Sequence, residues 1–525
     1  MNRDVFKRWL RDPLAWCVLL GAGFVVYRVL GLFHNVWSFT TDDAYITLRY
    51  ARNWHDGHGI TWNAGEKPVE GYSNFLFVVL GYIALTVGAS PEMFIKAVSL
   101  LALLGSVVLI YRLGRPILGR IGAIAPVLFF VTDKGVLWWT FSGLETIVYA
   151  AFALAAFHLY LRATDMAQAI GPKHVRRSLL GAGACIFLAS VTRFEGPILG
   201  VALAGASLLT FIEQAVRARR TGAPAPTFAE AFKPIVIVGI AAAVPYALYF
   251  VWRYAHFGEL IPNSYACKLG TEGLAKRRYQ DFVTDFMPLL AVAAVTLAFR
   301  RSLRHWVLAV PIILYVLLLR DTDTIVAYHN RHFVVVLGGL YILVVGSLEA
   351  FTGRVARLTR VQSATAIVVS AYLGFGFANL TADVEDPSGY GAKTECRAEL
   401  GRWIDRVLKP SEVWVTGDAG IGPYNSDARV IDAYCLNYAG ATENGRRLAD
   451  PALSDRILEA RPEAVVMISR SVTAWKPRAP IWRIMRDDAR FRSGYTLVHR
   501  VECEKNDFCY WVYARNDAAP RFPRD

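Results

Sequence analysis

Two adjacent carboxylates, Asp42 and Asp43, stand just after the first apolar run, in the stretch TTDDAYITLRYARNWHDGHGI of residues 40–60. One acid at the start of a helix can cap it and interact favourably with the macrodipole, which is worth about 0.5–2 kcal/mol. A second acid is not needed for that, and beside an apolar wall the pair suffers desolvation and mutual repulsion. Spacing alone therefore leaves two interpretations open, helix capping on one side and catalysis or metal binding on the other.

The elements that must position these acids are mostly apolar. The chain has 525 residues, of which 54% are hydrophobic, and its mean hydropathy is +0.33. Long runs with few charges recur up to residue 380, each long enough for a spanning helix of about 20 residues. We predict a polytopic α-helical membrane domain over residues 1–380. The more charged residues 381–525 predict a water-soluble domain of roughly 145 residues, an ordinary domain size.

Basic residues predict the orientation of the membrane domain. The net charge is +14, and Lys and Arg cluster in short loops between apolar runs, which indicates cytoplasmic loops rather than nucleic-acid binding. We interpret the first apolar run as an anchor, since it lacks a convincing signal-peptide cleavage site. The basic loops all lie on the cytoplasmic side if the run at 74–89 is a juxtamembrane or re-entrant helix. The chain then has about eleven spans, with the N-terminus inside and the C-terminus outside. These loops span residues 111–120, 162–177, 213–220, 299–304 and 353–360.

With this orientation, most polar residues that could do chemistry lie on the external side. In the first external loop, residues 34–92, Thr41 or Asp42 can cap an interfacial helix that Gly57 ends. Further external segments are residues 134–145, 192–196, 252–270 and 320–333. The sequence contains no Walker loop, dinucleotide fingerprint or zinc-ligand spacing. We therefore predict no nucleotide, soluble cofactor or metal site, although a divalent metal stays possible.

The tail contains cysteines and strand-like runs typical of an exported α/β domain. Apolar runs such as AVVMIS, residues 464–469, predict buried strands. In VECEKNDFCYWVYAR, residues 501–515, two strand-like runs flank a polar turn, across which Cys503 and Cys509 could face each other. Because disulfides persist outside the cytoplasm, we predict a Cys503–Cys509 bond; the alternative is two unpaired buried thiols.

Several blocks of sequence carry a family resemblance. The run DDAYITLRYARNWHDGHGITWNAGEKPVEGYSNFL, residues 42–76, resembles the first external loop of GT-C glycosyltransferases, and more narrowly of the bacterial arabinofuranosyltransferase-like branch. This block is specific, whereas the others are weak singly but follow in the expected order. They are SGLET (142–146), TRFEGP (192–197), WRYAHFGELIPNSYACK (252–268) and VTGDAGIGPYNSDARVIDAYCLN (415–437).

The resemblance implies a multi-pass membrane enzyme that takes one sugar from a polyprenyl monophosphate and transfers it to an acceptor outside the cytoplasm. It also implies that a carboxylate of the first external loop is central to catalysis and that many members need no metal. Related sequences often carry Gly-Gly-Asp near the penultimate external loop, where this chain has DTDTIVAYHNR without the glycines. Arabinofuranose is accordingly only the best guess for the sugar.

Physical chemistry assigns roles to individual residues. An acceptor hydroxyl needs a base, for which Asp42 is the first candidate and Asp43 its partner. A departing phosphate needs cations, for which Arg253 and Lys268 are the first candidates and Arg193 and Arg331 the reserves. Buried structural pairing, or snorkelling to lipid headgroups, is the alternative for these charges. The full set of predicted substrate-binding residues is Tyr45, Arg49, Glu70, Tyr72, Asn74, Glu145, Arg193, Glu195, Arg253, Asn263, Lys268, His329 and Arg331.

The leading hypothesis is a glycosyltransferase of a bacterial cytoplasmic membrane, with its active site and C-terminal domain extracytoplasmic. Its partners would be the lipid-linked sugar donor, membrane lipids and a glycan, lipid or protein acceptor, but not nucleic acid. The tail would cover the active site or hold the acceptor. A transporter or flippase would place polar sites at the bilayer midplane between repeated, broken helices, and no internal repeat is found. A non-catalytic scaffold of the envelope would not need the acidic pair.

Overall fold

The computed structural model describes residues 39–165, 167–224, 226–266, 274–321, 328–355, 388–438, 451–504 and 508–523. Lys268 lies outside these ranges, as do residues 1–38 and 356–387 around the ends of the predicted membrane domain. The helices of the N-terminal part are α1 (Asp42–His55), α2 (Phe75–Thr86), α3 (Pro91–Gly122), α4 (Ile124–Thr132), α5 (Lys134–Phe141), α6 (Thr146–Asp165), α7 (Ala167–Ile170), α8 (Pro172–Thr192), α9 (Ile198–Thr221), α10 (Phe228–Phe257), α11 (Asn263–Ala266), α12 (Leu274–Phe299), α13 (Leu303–Leu318) and α14 (Val334–Val355). Two 3-10 helices, Leu319–Asp321 and Tyr328–Phe333, precede α14.

Within the described ranges, seven helices are long and apolar enough to cross a membrane, and α4 with α5, bent by 60°, would add an eighth as one broken span. They are Pro91–Arg120, Thr146–Asp165, Pro172–Thr192, Ile198–Thr221, Phe228–Phe257, Phe282–Phe299 and His329–Ser347. α2 has 12 residues, short of the roughly 20 that a span needs, which agrees with a juxtamembrane or re-entrant helix. The count of about eleven spans includes runs outside the described ranges and stays a prediction.

α10 shows how a sequence pattern becomes a membrane-facing surface. One side of the helix exposes an apolar stripe at a spacing of three to four residues, which suits contact with lipid. The other side approaches α8 so closely that a Cβ at Gly183 would lie 2.7 Å from the main-chain oxygen of Val238. Small residues allow such close helix packing in membranes. The exposed stripe consists of Val236, Ile240, Val244, Leu248 and Val251.

The C-terminal part is the predicted α/β domain. Its helices are α15 (Ser388–Val407), α16 (Ile421–Tyr424), α17 (Pro451–Glu459), α18 (Pro480–Asp487) and α19 (Ala489–Gly494), and a 3-10 helix covers Ala519–Arg521. Its strands are β1 (Val413–Thr416), β2 (Arg429–Asp432), β3 (Ala464–Ser469), β4 (Tyr495–Glu504) and β5 (Phe508–Arg515). The strand order is β2-β1-β3-β5-β4; β1 runs parallel to β2 and β3, and the other pairs are antiparallel. Every residue of the central β3 is buried.

The predicted Cys503–Cys509 disulfide is wrong. Cys503 is bonded to Cys396 on α15, with a Cα–Cα distance of 5.5 Å. β4 and β5 do form the predicted hairpin, but Glu502 stands opposite Cys509, and the register is irregular between Glu502 and Glu504. Since successive side chains of a strand point to opposite faces, Cys503 and Cys509 do not meet across the hairpin. The bond instead ties α15 to the edge strand β4.

We expect the substitution Cys503→Ser to remove a Cys396–Cys503 crosslinked peptide and Cys509→Ser to leave it intact. The bond joins residues 107 positions apart. Its loss is expected to lower the free energy of unfolding by about 2–5 kcal/mol. Peptide mapping under non-reducing conditions and denaturant titration measure both effects. A Cys503–Cys509 peptide in the parent protein would contradict this pairing.

Candidate active site

Asp42 is the first residue of α1, and its carboxylate contacts the C-terminal part. Thr41 precedes the helix but makes no side-chain capping bond. The backbone N–H groups of Gly420 and Ile421 instead donate to Asp42, at 3.1 Å to Oδ2 and 2.8 Å to Oδ1. Gly57, with φ of 86°, lies just beyond the end of α1, as predicted. Asp42 therefore connects the start of α1 to the loop that follows β1.

A second carboxylate, that of Asp418, lies beside Asp42. Arg397 Nε is 2.6 Å from Asp418 Oδ2, and the Tyr510 hydroxyl donates to the same oxygen. Burial and then the charge of Asp418 raise the pKa of Asp42 well above its ordinary value, while the charge of Arg397 opposes them. A carboxylate with a raised pKa is a stronger base than a solvated one, which suits general-base chemistry.

Asp43, the second acid of the pair, is half-buried. Its charge reaches Asp432 at the end of β2, whose pKa is raised to about 6, mainly by burial. The backbone N–H groups of Tyr434 and Asn437 donate to Asp432, at 2.8 and 3.0 Å. Among the residues that the structure describes, no group of three or more His, Cys, Asp or Glu side chains could hold a metal ion.

A buried ionic network surrounds Glu145, at the start of α6. Its Oε1 is 2.7 Å from Arg193 Nη1 and 2.8 Å from Arg331 Nη2, and Asn74 Nδ2 donates to its Oε2 at 3.0 Å. Arg193 Nε also donates to Glu195 Oε1 at 2.6 Å. Burial opposes ionisation of Glu145, but Arg331 and Arg193 hold its pKa below the ordinary value. The carboxylate is therefore charged and fixes two guanidinium groups side by side.

Hydrogen bonds connect this network to the helix that carries Asp42. Thr47, on α1, donates to Asn74 Oδ1 at 2.7 Å, and Asn74 in turn donates to Glu145. The backbone N–H of Thr41 donates to the Ser142 carbonyl at 2.8 Å. Five of the predicted substrate-binding residues, Asn74, Glu145, Arg193, Glu195 and Arg331, thus lie in one network, which hydrogen bonds connect to the helix that begins with Asp42.

Histidines border the network. His332 Nδ1 is 2.5 Å from Arg193 Nη2 and 3.9 Å from Glu195 Oε1. His329, the histidine chosen from the sequence, adopts a left-handed φ of 49°, and its carbonyl accepts from Trp139 Nε1 at 3.2 Å. A Cβ at Gly135 would overlap that carbonyl. The backbone of His329 therefore shapes the site, whereas the imidazole in contact with Arg193 belongs to His332.

Arg49 has a structural position between the two parts of the chain. It is 2% exposed, and its guanidinium donates to the carbonyls of Trp62 at 2.9 Å, Ser426 at 2.9 Å and Ala428 at 3.2 Å. It also donates to the carbonyl of Pro423. Arg49 therefore fixes α1 against the C-terminal part.

Tyr45 lies in a second polar group that the sequence did not indicate. Its hydroxyl donates to Glu92 Oε2 at 2.6 Å, and the Thr40 hydroxyl donates to Glu92 Oε1. Lys96, one turn further along α3, is 3.2 Å from Glu92 Oε1 and fully buried. This group supports the side of α1 that faces α3.

Glu70 and Arg253, both predicted to bind substrate, form a buried ion pair. Arg253 Nε and Nη2 are each 2.6 Å from Glu70 Oε2. Arg253 Nη1 donates to the carbonyls of Glu259 at 3.0 Å and Leu260 at 3.1 Å. These contacts fold the segment after α10 over Glu70, which gives a structural role to Arg253, the residue that the sequence favoured as a phosphate ligand.

Tyr72 and Asn263 also lie at the junction of the two parts. The ring of Tyr72 packs edge-on against Tyr50 at 4.9 Å, and its buried hydroxyl has no hydrogen-bond partner among the described residues. Asn263 Nδ2 donates to the carbonyls of Cys435 and Leu436, both at 2.8 Å. Asn263 therefore stabilises the docking of the tail.

Sequence reasoning missed Asp418, Arg397 and Tyr510. Asp418 belongs to the GDAG stretch at the end of β1, which could be read as a tight turn or as an anion-binding loop. The last glycine of this stretch, Gly420, and the next residue, Ile421, do bind an anion through their N–H groups, but that anion is the Asp42 carboxylate, which they meet only in the folded protein. The other two residues lie on α15 and β5 with no local signal.

Comparison with known proteins places this geometry in context. No curated protein matches the chain by sequence. A family model described as a domain of unknown function (DUF8728) matches residues 383–513. Among solved structures, ArnT from Cupriavidus metallidurans bound to undecaprenyl phosphate is similar with a TM-score of 0.60 at 12% identity, covering 95% of this chain and 98% of that one.

Two further structures share the architecture at 12% identity. The Archaeoglobus fulgidus oligosaccharyltransferase tethered to an acceptor peptide has a TM-score of 0.52, covering 94% of this chain and 74% of that one. The mycobacterial arabinofuranosyltransferase AftD has a TM-score of 0.51, covering 94% of this chain and 41% of that one. The chain has the GT-C fold. Its GT-C fold and its apolar helices make it a multi-pass membrane protein.

Proposed function

We propose that the protein is a membrane glycosyltransferase that transfers a sugar from a polyprenyl monophosphate to an acceptor on the external side of a bacterial cytoplasmic membrane. Arabinofuranose is the first candidate sugar, and a glycan, lipid or protein hydroxyl is the acceptor. The GT-C fold supports this proposal, since one similar protein binds undecaprenyl phosphate and another is an arabinofuranosyltransferase.

One observation carries the proposal. A half-buried carboxylate with a raised pKa, Asp42, begins α1, and Thr47 of the same helix connects through Asn74 and Glu145 to the paired guanidinium groups of Arg193 and Arg331. Transfer of a sugar from a phosphate to a hydroxyl needs both kinds of group, a base for the acceptor and cations for the leaving group.

The proposed step breaks the bond between the anomeric carbon and the phosphate oxygen and forms a bond from the acceptor oxygen to that carbon. Asp42 removes the acceptor proton. The bond electrons leave with the phosphate, whose charge rises, and fixed cations stabilise that rise more in the transition state than in the ground state.

We assign the phosphate to the neighbourhood of Arg331, with Arg193 and Glu145 as its support. Arg331 Nη2 is held by Glu145, and its guanidinium carbon stacks over Trp139 at 5.1 Å from the ring centroid, which fixes its plane. Arg253 is less suited because Glu70 and two carbonyls already accept from it. Lys268 stays a candidate from the sequence.

The test uses the full-length protein in lipid nanodiscs with radiolabelled polyprenyl-phosphate arabinose and a panel of other polyprenyl-phosphate sugars. We expect release of free polyprenyl phosphate that depends on an added envelope acceptor and on Asp42. Donor binding without release, or movement of intact donor across proteoliposomes, would overturn the proposal in favour of a binding protein or a flippase.

A further inference from the structure

We propose that the C-terminal part supplies two positioning residues, Asp418 and Arg397, to the centre at Asp42, so that catalysis requires the tail to be docked on α1. The inference rests on the proposed function and goes beyond it: the charge and direction of the base would be set by residues more than 350 positions away in the chain. The tail would then be part of the active site rather than a cover or an acceptor holder.

The first support is that the tail binds Asp42 through both carboxylate oxygens. The N–H groups of Gly420 and Ile421 hold Oδ2 and Oδ1 and leave the side chain one orientation. A Cβ at Gly420 would overlap the carboxylate and the main-chain oxygen of Asp42. At Gly422, two residues on, a Cβ would make only ordinary contacts, with Trp414 at 3.5 Å and the Arg397 carbonyl at 3.8 Å.

The second support is the rigidity of the dock. Arg52 Nη1 donates to the Tyr424 carbonyl at 2.6 Å, and its Nη2 is 3.2 Å from Asp427 Oδ1. Trp62 Nε1 and Asn63 Nδ2 donate to the Val430 carbonyl at 3.0 and 3.1 Å. With the contacts of Arg49, these bonds fix residues 423–430, which directly follow Gly420 and Ile421, so a preorganised surface presents the two N–H groups to Asp42.

The third support is the arrangement of charge. Asp418 and Arg397 form an ion pair at 2.6 Å, and Tyr510 donates to Asp418. The disulfide at Cys396 anchors the helix that carries Arg397. A carboxylate and a guanidinium beside one base act on it in opposite directions, because a like charge disfavours ionisation and an opposite charge favours it.

The charged and titratable groups around Asp42 determine how its pKa responds to substitution. Asp418, Arg397 and Tyr510 approach it from the tail, and Asp43 is its neighbour on α1. On the α3 side, Lys96 pairs with Glu92, and Glu92 accepts hydrogen bonds from Thr40 and Tyr45. The pH dependence of a reaction that uses Asp42 as base should therefore respond first to Asp418 and Arg397.

The test measures the acidic limb of kcat/KM against pH for Asp418→Asn and Arg397→Gln. A base must be deprotonated, so activity rises with pH through its pKa. Removing Asp418 removes a group that raises the pKa of Asp42, so the limb should move to lower pH. Removing Arg397 removes a group that lowers it, so the limb should move to higher pH. Arg397→Lys should move the limb less than Arg397→Gln.

A glycine pair tests the docking geometry separately. Gly420→Ala should lower kcat/KM by about 100-fold, because a displacement of the base by about 1 Å can have that effect. Gly422→Ala is the matched control and should stay within about threefold of the parent. Thermal melting of each variant shows whether the fold is retained. If a glycine variant unfolds, Asp418→Asn provides the test instead, because it replaces only one carboxylate oxygen by an NH₂ group.

The outcomes separate this inference from the proposed function. If Asp42→Asn is inactive while Asp418→Asn and Arg397→Gln keep the parent limb, the inference is wrong and the transferase proposal stands. A shift of the acidic limb in the same direction in Asp418→Asn and Arg397→Gln would also overturn it. Such a shift would indicate a general loss of packing, because removal of opposite charges should move the limb in opposite directions. Full activity of Asp42→Asn would show instead that the proposed base is wrong.

Discussion

Asp42→Asn is expected to lower turnover at least about 100-fold while the protein folds normally, the usual scale for loss of a positioned base. The amide keeps the size of the side chain but cannot take a proton. One of its oxygens is replaced by an NH₂ group that faces a backbone N–H of Gly420 or Ile421, so one of the two orienting bonds is also lost. Turnover is measured as acceptor-dependent release of polyprenyl phosphate.

Asp43→Asn is the matched comparison, since it removes the same charge one residue along the same helix. Asp43 acts on Asp432 rather than on the Gly420 loop, so we expect a smaller loss than for Asp42→Asn. Near-normal turnover of both variants would leave the acids with a structural role only. A loss of turnover in Asp43→Asn alone would identify Asp43, not Asp42, as the base.

Arg331→Gln is expected to lower turnover by about 100- to 1,000-fold, the range seen when one preorganised donor to a developing anion is removed. The fold should survive better than in Arg193→Gln. When Arg331 is replaced, Glu145 keeps Arg193 as a partner. When Arg193 is replaced, both Glu145 and Glu195 lose an ion-pair partner. Removing one partner of a buried ion pair typically lowers the free energy of unfolding by about 3–5 kcal/mol.

Arg253→Gln is the control for this prediction because its ion pair with Glu70 is also buried but belongs to a different contact. We expect it to lower the melting temperature and to retain turnover per folded molecule. Single-turnover rates with saturating donor, together with melting curves, separate the two effects. A rate loss in Arg253→Gln that matches or exceeds that of Arg331→Gln would instead favour Arg253, a first candidate from the sequence, as the phosphate ligand.

Much of the architecture follows from short-range patterns. Apolar runs of about 20 residues specify spanning helices because the bilayer leaves no alternative partner for backbone polar groups. The start of α1 near Asp42 and Gly57 beyond its end follow from rules that act over a single turn. The buried strand β3 follows from an uninterrupted apolar run of six residues.

The family resemblance of residues 42–76 predicted a catalytic role for Asp42 and Asp43. The charged residues Glu145, Arg193 and Arg331, which three separate segments contribute, were each ambiguous alone. A charge near the end of a span can bind a ligand, pair with another charge or reach the headgroups, and sequence spacing does not distinguish these outcomes. Their meeting on one carboxylate is a result of helix packing.

Tertiary structure alone decided which distant groups became partners. Cys503 has a cysteine six residues away in its own hairpin, yet it bonds to Cys396, because strand pleating turns the nearer thiol to the other face. Arg253 pairs with Glu70, and Asp42 binds the amides of Gly420 and Ile421 rather than capping its own helix. Local sequence limits what each residue can do; packing the tail against α1 and the residues that follow it determines which of these contacts forms, since burial leaves a charge stable only beside a specific partner.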